Sequence, residues 1–156
     1  MKAAAGRCSC DSINYEITAA PLFTHACHCT LCQRRSGSAF GLSMLIETSL
    51  FRLTQGETAA VEIIADSGNK KYNHFCDRCG TVLFGDSPAL PGLTVLRPGT
   101  LDDTSQVQVQ AHIWVKSRQP WFQLPGNVPC FDTMYDHNML WPEASLMRYR
   151  ALFAEK

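Results

Sequence analysis

The sequence predicts a mainly β domain organised around clustered cysteines, with one short helix at its C-terminal end. Three observations support this. Apolar residues alternate with a period of two at Ile13, Tyr15 and Ile17, and again at Val107, Val109, Ala111, Ile113 and Val115, the spacing of a half-buried strand. Cysteine pairs fall beside stretches that read as strands: Cys8-Ser9-Cys10, Cys27-His28-Cys29 and the knuckle Cys76-Asp77-Arg78-Cys79-Gly80. A helical period emerges only after Pro142, where Leu146, Tyr149 and Phe153 share one side.

Taken in order, the first thiol pair precedes a turn at Asp11-Ser12 and the strand through Ile17. Residues 21–29 read as a second strand with the next thiol pair at its end. A short basic turn over Gln33-Arg34-Arg35-Ser36-Gly37-Ser38 then leads into the apolar stretch Ala39 to Ile46. Residues 50–54 and 57–65 look like a hairpin around Gln55-Gly56, with β-branched Val61, Ile63 and Ile64 in its second arm. Ser67-Gly68-Asn69 turns the chain into the strand Lys71 to Cys76, which delivers the knuckle, and Thr81 to Phe84 leads out of it. The Pro- and Gly-rich stretch from Asp86 to Asp103 reads as a loop broken by a short strand at Leu93 to Leu96. The alternation from Val107 to Val115 is the clearest strand of all, with His112 and Trp114 on its polar face. Residues 119–131 read as irregular and aromatic.

With 156 residues the chain fits one domain, read as 1–156 with a core of about 6–131 and a tail of 132–156. Charged residues make up 18% of the chain and the formal net charge is zero, which gives no electrostatic pull toward nucleic acid or an anionic membrane. No apolar run approaches the length of a membrane span. The first seven residues hold no long apolar core of the signal-peptide kind. The expected location is therefore cytoplasmic and reducing, where clustered thiols serve as metal ligands more readily than as disulfides.

Seven of the eight cysteines lie in clusters, and Cys130 stands alone among apolar neighbours, the setting of a small buried hydrophobe. A C-x-C step in extended chain puts both sulfurs on one face, so Cys27 and Cys29 point together and His28 points away. Cys29 to Cys32 adds the C-x-x-C spacing that wraps one small cation. Thioredoxin-like redox chemistry competes for Cys29 with Cys32 or Cys76 with Cys79, but it wants a βαβ setting. Soft thiolates favour zinc, and no four-cysteine run of ferredoxin type is present. Seven ligands divide naturally as four plus three: a closed structural site, and an open site with one coordination position for water or a substrate thiol. Spacing leaves two pairings open. Either Cys27, Cys29 and Cys32 hold one ion and Cys8, Cys10, Cys76 and Cys79 the other, or Cys29 and Cys32 join Cys76 and Cys79 as a zinc ribbon.

The series C-x-C, C-H-C-x-x-C followed by Arg34-Arg35-Ser36-Gly37, C-x-x-C-G, Gly99-Thr100-Leu101-Asp102-Asp103, His112-Ile113-Trp114 and Pro120-Trp121 resembles the glutathione-dependent formaldehyde-activating enzyme family, which includes centromere protein V. The resemblance runs from about Gly6 to Phe131. It implies an Mss4-like fold of antiparallel sheets around two zinc sites, with structural zinc on Cys8, Cys10, Cys76 and Cys79 and catalytic zinc on Cys27, Cys29 and Cys32. It also implies carbon–sulfur lyase or synthase chemistry of the S-(hydroxymethyl)glutathione kind, with glutathione as co-substrate and a small-molecule thiol and aldehyde as partners.

A metal-bound thiol loses its proton near neutral pH and can add to an aldehyde without a dedicated base. The three cysteines are then ligands rather than covalent nucleophiles. Arg34 and Arg35 are candidates for holding a carboxylate of the thiol substrate, against a solvated surface turn. His25 is read as packing, with ligation as its alternative, and His74 is a candidate to orient a zinc thiolate. His112 and Trp114 are a candidate pocket wall. The competing function is a non-catalytic zinc module or a carrier of glutathione adducts.

Overall fold

The computed structural model describes residues 3–65 and 68–154. Its strands in chain order are β1 (Ala4–Arg7), β2 (Asn14–Ile17), β3 (Phe23–Cys27), β4 (Gly41–Glu47), β5 (Phe51–Gln55), β6 (Ala59–Ile64), β7 (Lys70–Phe75), β8 (Val82–Asp86), β9 (Leu93–Leu96), β10 (Ala111–Ile113) and β11 (Cys130–Phe131). The helices are α1 (Thr30–Ser36), α2 (His137–Leu140) and α3 (Glu143–Ala154). Among the described residues no helix is long and apolar enough to cross a membrane. The chain divides into two compact units, each assembled from two separate stretches: residues 1–21 with 44–107, and residues 22–43 with 108–156.

In the first unit β2 lies between β1 and β5 in an antiparallel sheet. The period-two reading holds there: Ile13, Tyr15 and Ile17 are all buried and join Met44, Ile46, Leu83 and Leu96 in one core, each such side chain contributing about 1.5–3 kcal/mol by leaving water. Tyr15 bonds Thr100 through its hydroxyl at 2.8 Å, and a Cβ on Gly6 would collide with the Tyr15 ring and the Thr100 carbonyl. Arg7 Nε donates to Asp102 at 2.7 Å and the Asp102 amide donates to the Ala5 carbonyl at 3.0 Å. The Gly99–Asp103 stretch thus fixes the end of β1, where the first thiol follows.

The remaining strands of this unit run β9, β8, β7, β6 as antiparallel neighbours, with Met44–Glu47 of β4 paired to β9. The expected hairpin of residues 50–54 and 57–65 is overturned. Gly56 does turn, at φ 74, but β5 pairs with β2 and β6 pairs with β7. The glycine is required because a side chain there would strike the Ser12 carbonyl. The hairpin that does form joins β6 to β7 through Gly68 at φ 79; Ser67, the first residue of the predicted turn, lies outside the described residues.

In the second unit β10 lies between β3 and β11, and both pairings are parallel, so the sheets are not all antiparallel as expected. Ala111 faces His25 and Ile113 faces Cys27 across the ladder. The long strand expected from Val107 to Val115 is also corrected, since only Ala111–Ile113 is in the sheet. Val107 packs against the core of the first unit, and Trp114, at φ 58, leaves extended geometry and opens a 3-10 turn over Val115–Ser117. His112 is buried, not on a solvated face.

Phe23 stacks on Trp141 at 5.6 Å and meets Tyr135 edge-on at 5.3 Å, while Ser145 Oγ donates to the Leu22 carbonyl at 2.7 Å. These contacts seat the tail. The predicted C-terminal helix is α3, preceded by α2, which Asp136 caps by accepting from the Asn138 amide at 2.9 Å. Leu146 is buried as its spacing predicts, but Phe153 is exposed.

Candidate metal centres

The first centre is built by two tight loops of the first unit. Cys8 follows β1 with its amide bonded to the Ile13 carbonyl at 3.0 Å, and Asp11, at φ 57, turns the chain so that Cys10 comes round beside it. Cys76 follows β7, and the loop closes through Gly80 N–H to the Cys76 carbonyl at 2.8 Å and Cys76 N–H to the Thr81 carbonyl at 2.9 Å, with Gly80 at φ 74. The four sulfurs lie within 4.8 Å of one another. Cys8 to Cys10 is 3.6 Å and Cys10 to Cys76 is 3.7 Å, close to the edge of about 3.8 Å that a tetrahedron of thiolates at about 2.3 Å from zinc requires. No disulfide competes, since all eight cysteines are free thiols. The donor set fits a soft dication.

Hydrogen bonds favour the thiolate form at Cys8 and Cys79, whereas at Cys10 the bonds from Ser12 are outweighed by burial and by the Cys8 and Cys79 thiols, which leave its pKa raised. Burial pushes the Cys8 thiol up, but bonds from Ser12 and the Ile13 amide outweigh it and leave the pKa lowered to about 7. Hydrogen bonds from Ser9 and Thr81 bring Cys79 down to about 5. These hydroxyls were not legible as site residues. Their only signal was short polar side chains inside or beside each cysteine motif.

The second centre is compact in sequence. Cys27 ends β3, Cys29 is the N-cap of α1, and Cys32 is the third residue of that helix. Cys29 has extended geometry, φ −65 and ψ 152, and its sulfur accepts from the Cys32 amide at 3.4 Å, as a capping oxygen would. The three sulfurs lie within 4.8 Å of one another. Hydrogen bonds from Cys27 and Cys32 hold Cys29 far below the ordinary thiol value, whereas the bonds that Cys27 makes with Cys29 and Cys32, together with burial, push Cys27 up. A Cβ on Gly41 would approach the Cys32 Cβ to 3.2 Å, so glycine leaves the room that Cys32 occupies.

Of the expected basic turn at 33–38, residues 33–36 are instead the second half of α1. Gly37 ends the helix in left-handed geometry at φ 63, its N–H bonded to the Gln33 carbonyl. Arg34 and Arg35 occupy the last turn, where cations suit the helix dipole. Arg34 lines a cavity of about 610 Å³ with Thr30, Gln33, Ser38, Gln119 and Trp121. Arg35 is not part of that lining. Gln33 ties the cavity wall to the thiol loop: its Nε2 donates to the carbonyls of His28 at 2.6 Å and Ser117 at 2.8 Å, and its Oε1 accepts from Gln119 at 2.7 Å. Trp121, 70% exposed, lines the cavity where Trp114 was expected to; Lys116 sits over the Trp114 ring instead.

The other candidates fall outside both clusters. His28 points away from the thiols, as alternation predicts, to His112 at 2.8 Å and against Phe40 and Phe122. His25 is buried against Tyr135, whose hydroxyl lies 3.0 Å from Nδ1. His74 does not orient a thiolate, because its Nε2 meets Asp86 at 2.6 Å, its Nδ1 meets Thr58 at 3.4 Å and its ring stacks on Phe84. Cys130 belongs to neither cluster; contrary to the expectation of burial it is exposed, its thiol donating to the Val128 carbonyl at 3.3 Å.

A strand-rich scaffold carrying one cluster of four thiols and one of three defines a protein with two sites capable of coordinating a metal ion. The family model of the glutathione-dependent formaldehyde-activating enzyme matches residues 3–117, and the chain belongs to that family. The match ends short of the Pro120-Trp121 segment included in the sequence resemblance. A crystal structure of a Rhodobacter sphaeroides protein is similar in fold, with a TM-score of 0.52 and 18% identity over 81% of this chain and 98% of that one. No curated protein shows significant sequence similarity to the chain.

Proposed function

We propose that this chain is a zinc-dependent carbon–sulfur lyase or synthase acting on adducts of glutathione, or a similar thiol, with a small aldehyde. The observation that carries the reading is the split of the thiols into a set of four and a set of three. Four thiolates complete a tetrahedral ion and make a structural site on Cys8, Cys10, Cys76 and Cys79. Three leave one position free, which suits a catalytic site on Cys27, Cys29 and Cys32. Zinc there would supply Lewis-acid chemistry, binding a substrate thiol and lowering its pKa. The chain's own residues do the rest: Cys29 caps α1 and so fixes its sulfur against the helix, and Gln33 pins the His28 carbonyl between Cys27 and Cys29.

Arg34 in the cavity wall supports a substrate with a carboxylate, through a charge-assisted bond. Arg35, outside the lining, takes no part in this reading. We assign the whole chain to one Mss4-like functional domain, because each compact unit draws on two separated stretches and neither can be excised as a continuous piece. The cytoplasm is the proposed location, a reducing compartment that keeps seven thiols available as ligands.

The test is zinc stoichiometry of the purified chain with and without glutathione, alongside thiol-dependent consumption of a panel of aldehydes. Two zinc ions per chain with glutathione-dependent turnover is the expected result. Glutathione binding without turnover would identify an adduct carrier, and absence of zinc would overturn the reading.

A further inference from the structure

Ser12 sits against one face of the four-thiol cluster. Its Oγ lies 3.0 Å from the sulfur of Cys10, 3.2 Å from that of Cys76 and 3.5 Å from that of Cys8. The fourth sulfur, on Cys79, meets a different hydroxyl, Thr81 Oγ1, at 3.2 Å; that oxygen in turn accepts from the Ser9 amide at 3.2 Å and lies 3.0 Å from the Ser9 hydroxyl. Ser12 is held in place by its neighbours. The left-handed turn at Asp11 aims it inward, Gln55 donates to the Asp11 carbonyl at 3.3 Å, and Gly56 leaves room for the Ser12 carbonyl.

We infer that Ser12 is a positioning residue of the four-thiol centre, whose single hydroxyl proton is shared among the sulfurs of Cys8, Cys10 and Cys76, one at a time, and thereby strengthens the hold of the cluster on its metal. The inference rests on the metal reading proposed above. A hydroxyl between neutral thiols can donate or accept, but thiolate ligands can only accept, so metal binding fixes Ser12 as the donor. Four thiolates around a dication leave two net negative charges in a partly buried site, and each donated bond to sulfur offsets part of that charge. One proton facing three sulfurs can follow whichever carries the most charge. This gives the cap a reason to sit over a face rather than beside a single ligand.

The experiment uses the full chain loaded with zinc, comparing Ser12→Ala and Ser12→Thr with the native sequence. Chelator competition should show the tighter of the two ions held about 10–100-fold more weakly in Ser12→Ala, the range typical of a lost partner to a metal ligand, with native behaviour restored in Ser12→Thr. In a Cys29→Ser background, where cobalt reports on the four-thiol centre alone, the sulfur-to-cobalt charge-transfer band should move to lower energy in Ser12→Ala and return in Ser12→Thr. A loss of packing alone would not produce that shift and rescue. Native affinity and an unshifted band in Ser12→Ala, with the ion still bound, would overturn the inference while leaving the metal site standing. If Cys8→Ser retains the full metal content of the native chain, the cluster is not a metal site and the inference falls with it.

Discussion

His28 Nε2 and His112 Nδ1 lie 2.8 Å apart in the interior of the second unit, 84 residues apart in the chain. One ring donates and the other accepts, so a single proton lies between the two nitrogens. Burial lowers the pKa of each, and in His28 the neighbouring His112 lowers it further. Phe40 and Phe122 pack on the His28 ring at 5.3 and 5.2 Å, and the His28 amide donates to the Ile113 carbonyl at 2.9 Å. The residue between Cys27 and Cys29 is thereby fixed through both its backbone and its side chain.

The first prediction follows from that pair. His112→Phe leaves His28 Nε2 buried without a partner, at a cost of about 1–3 kcal/mol, read as a lower thermal midpoint. The His112 pKa is depressed on folding, so its contribution to stability is complete above the unfolded value of about 6.5 and is lost as pH falls through the folded value. The difference in midpoint between the native chain and His112→Phe should therefore shrink on acidification from about pH 7 to about pH 5.5. A difference that grows over that range would show that the folded pair takes up protons more readily than the unfolded chain.

A second prediction separates two neighbouring arginines. Only Arg34 lines the cavity shared with Trp121 and the Gln33–Gln119 amide pair. Removing one partner of a charge-assisted bond costs about 1.5–3 kcal/mol, so Arg34→Ala should weaken glutathione binding by about 10-fold or more, while Arg35→Ala leaves it near the native value. Calorimetric titration of both variants decides the matter. Equal losses would indicate a diffuse electrostatic effect rather than a contact.

The thiol clusters were legible because ligand chemistry is written into spacing: C-x-C and C-x-x-C bring sulfurs together whatever surrounds them. The strand at Leu93–Leu96 and the alternation through Ile17 were legible for a similar reason, each being a short local period. Pairing was harder to read. Gly56 turns as expected, yet its two flanking strands have other partners, because a period of two says which face is buried and not which neighbour lies alongside. Helix α1 was hidden because Thr30–Ser36 is short, contains no buried residue and takes its start from a cysteine cap. The His28–His112 pair and the Ser12–Cys76 contact join residues 84 and 64 positions apart, which no local pattern encodes, although Ser12 meets Cys10 and Cys8 from only two and four positions away.

Cys130 provides a third prediction. It is exposed and lies in neither thiol cluster, so Cys130→Ala should leave zinc content and folding unchanged. Selective alkylation under native conditions should mark it ahead of the clustered thiols. Loss of one zinc equivalent in the alanine variant would show that a ligand has been miscounted.

The last prediction sets Cys29 against Cys8. The structure places Cys29 with Cys27 and Cys32, and Cys8 with Cys10, Cys76 and Cys79, whereas a zinc ribbon would put Cys29 and Cys79 on one ion. Structural zinc supplies on the order of 10 kcal/mol to small zinc modules, so Cys8→Ser should unfold much of the first unit. Cys29→Ser should remove only the weaker ion, because two thiolates hold zinc poorly against water and cellular thiols. The fold should survive that change and glutathione binding should be lost. Thermal unfolding, zinc content and glutathione binding measured on both variants give each centre its own signature. A folded Cys8→Ser beside an unfolded Cys29→Ser would exchange the two roles, making the three-thiol cluster the structural site and leaving the proposed chemistry without its open position.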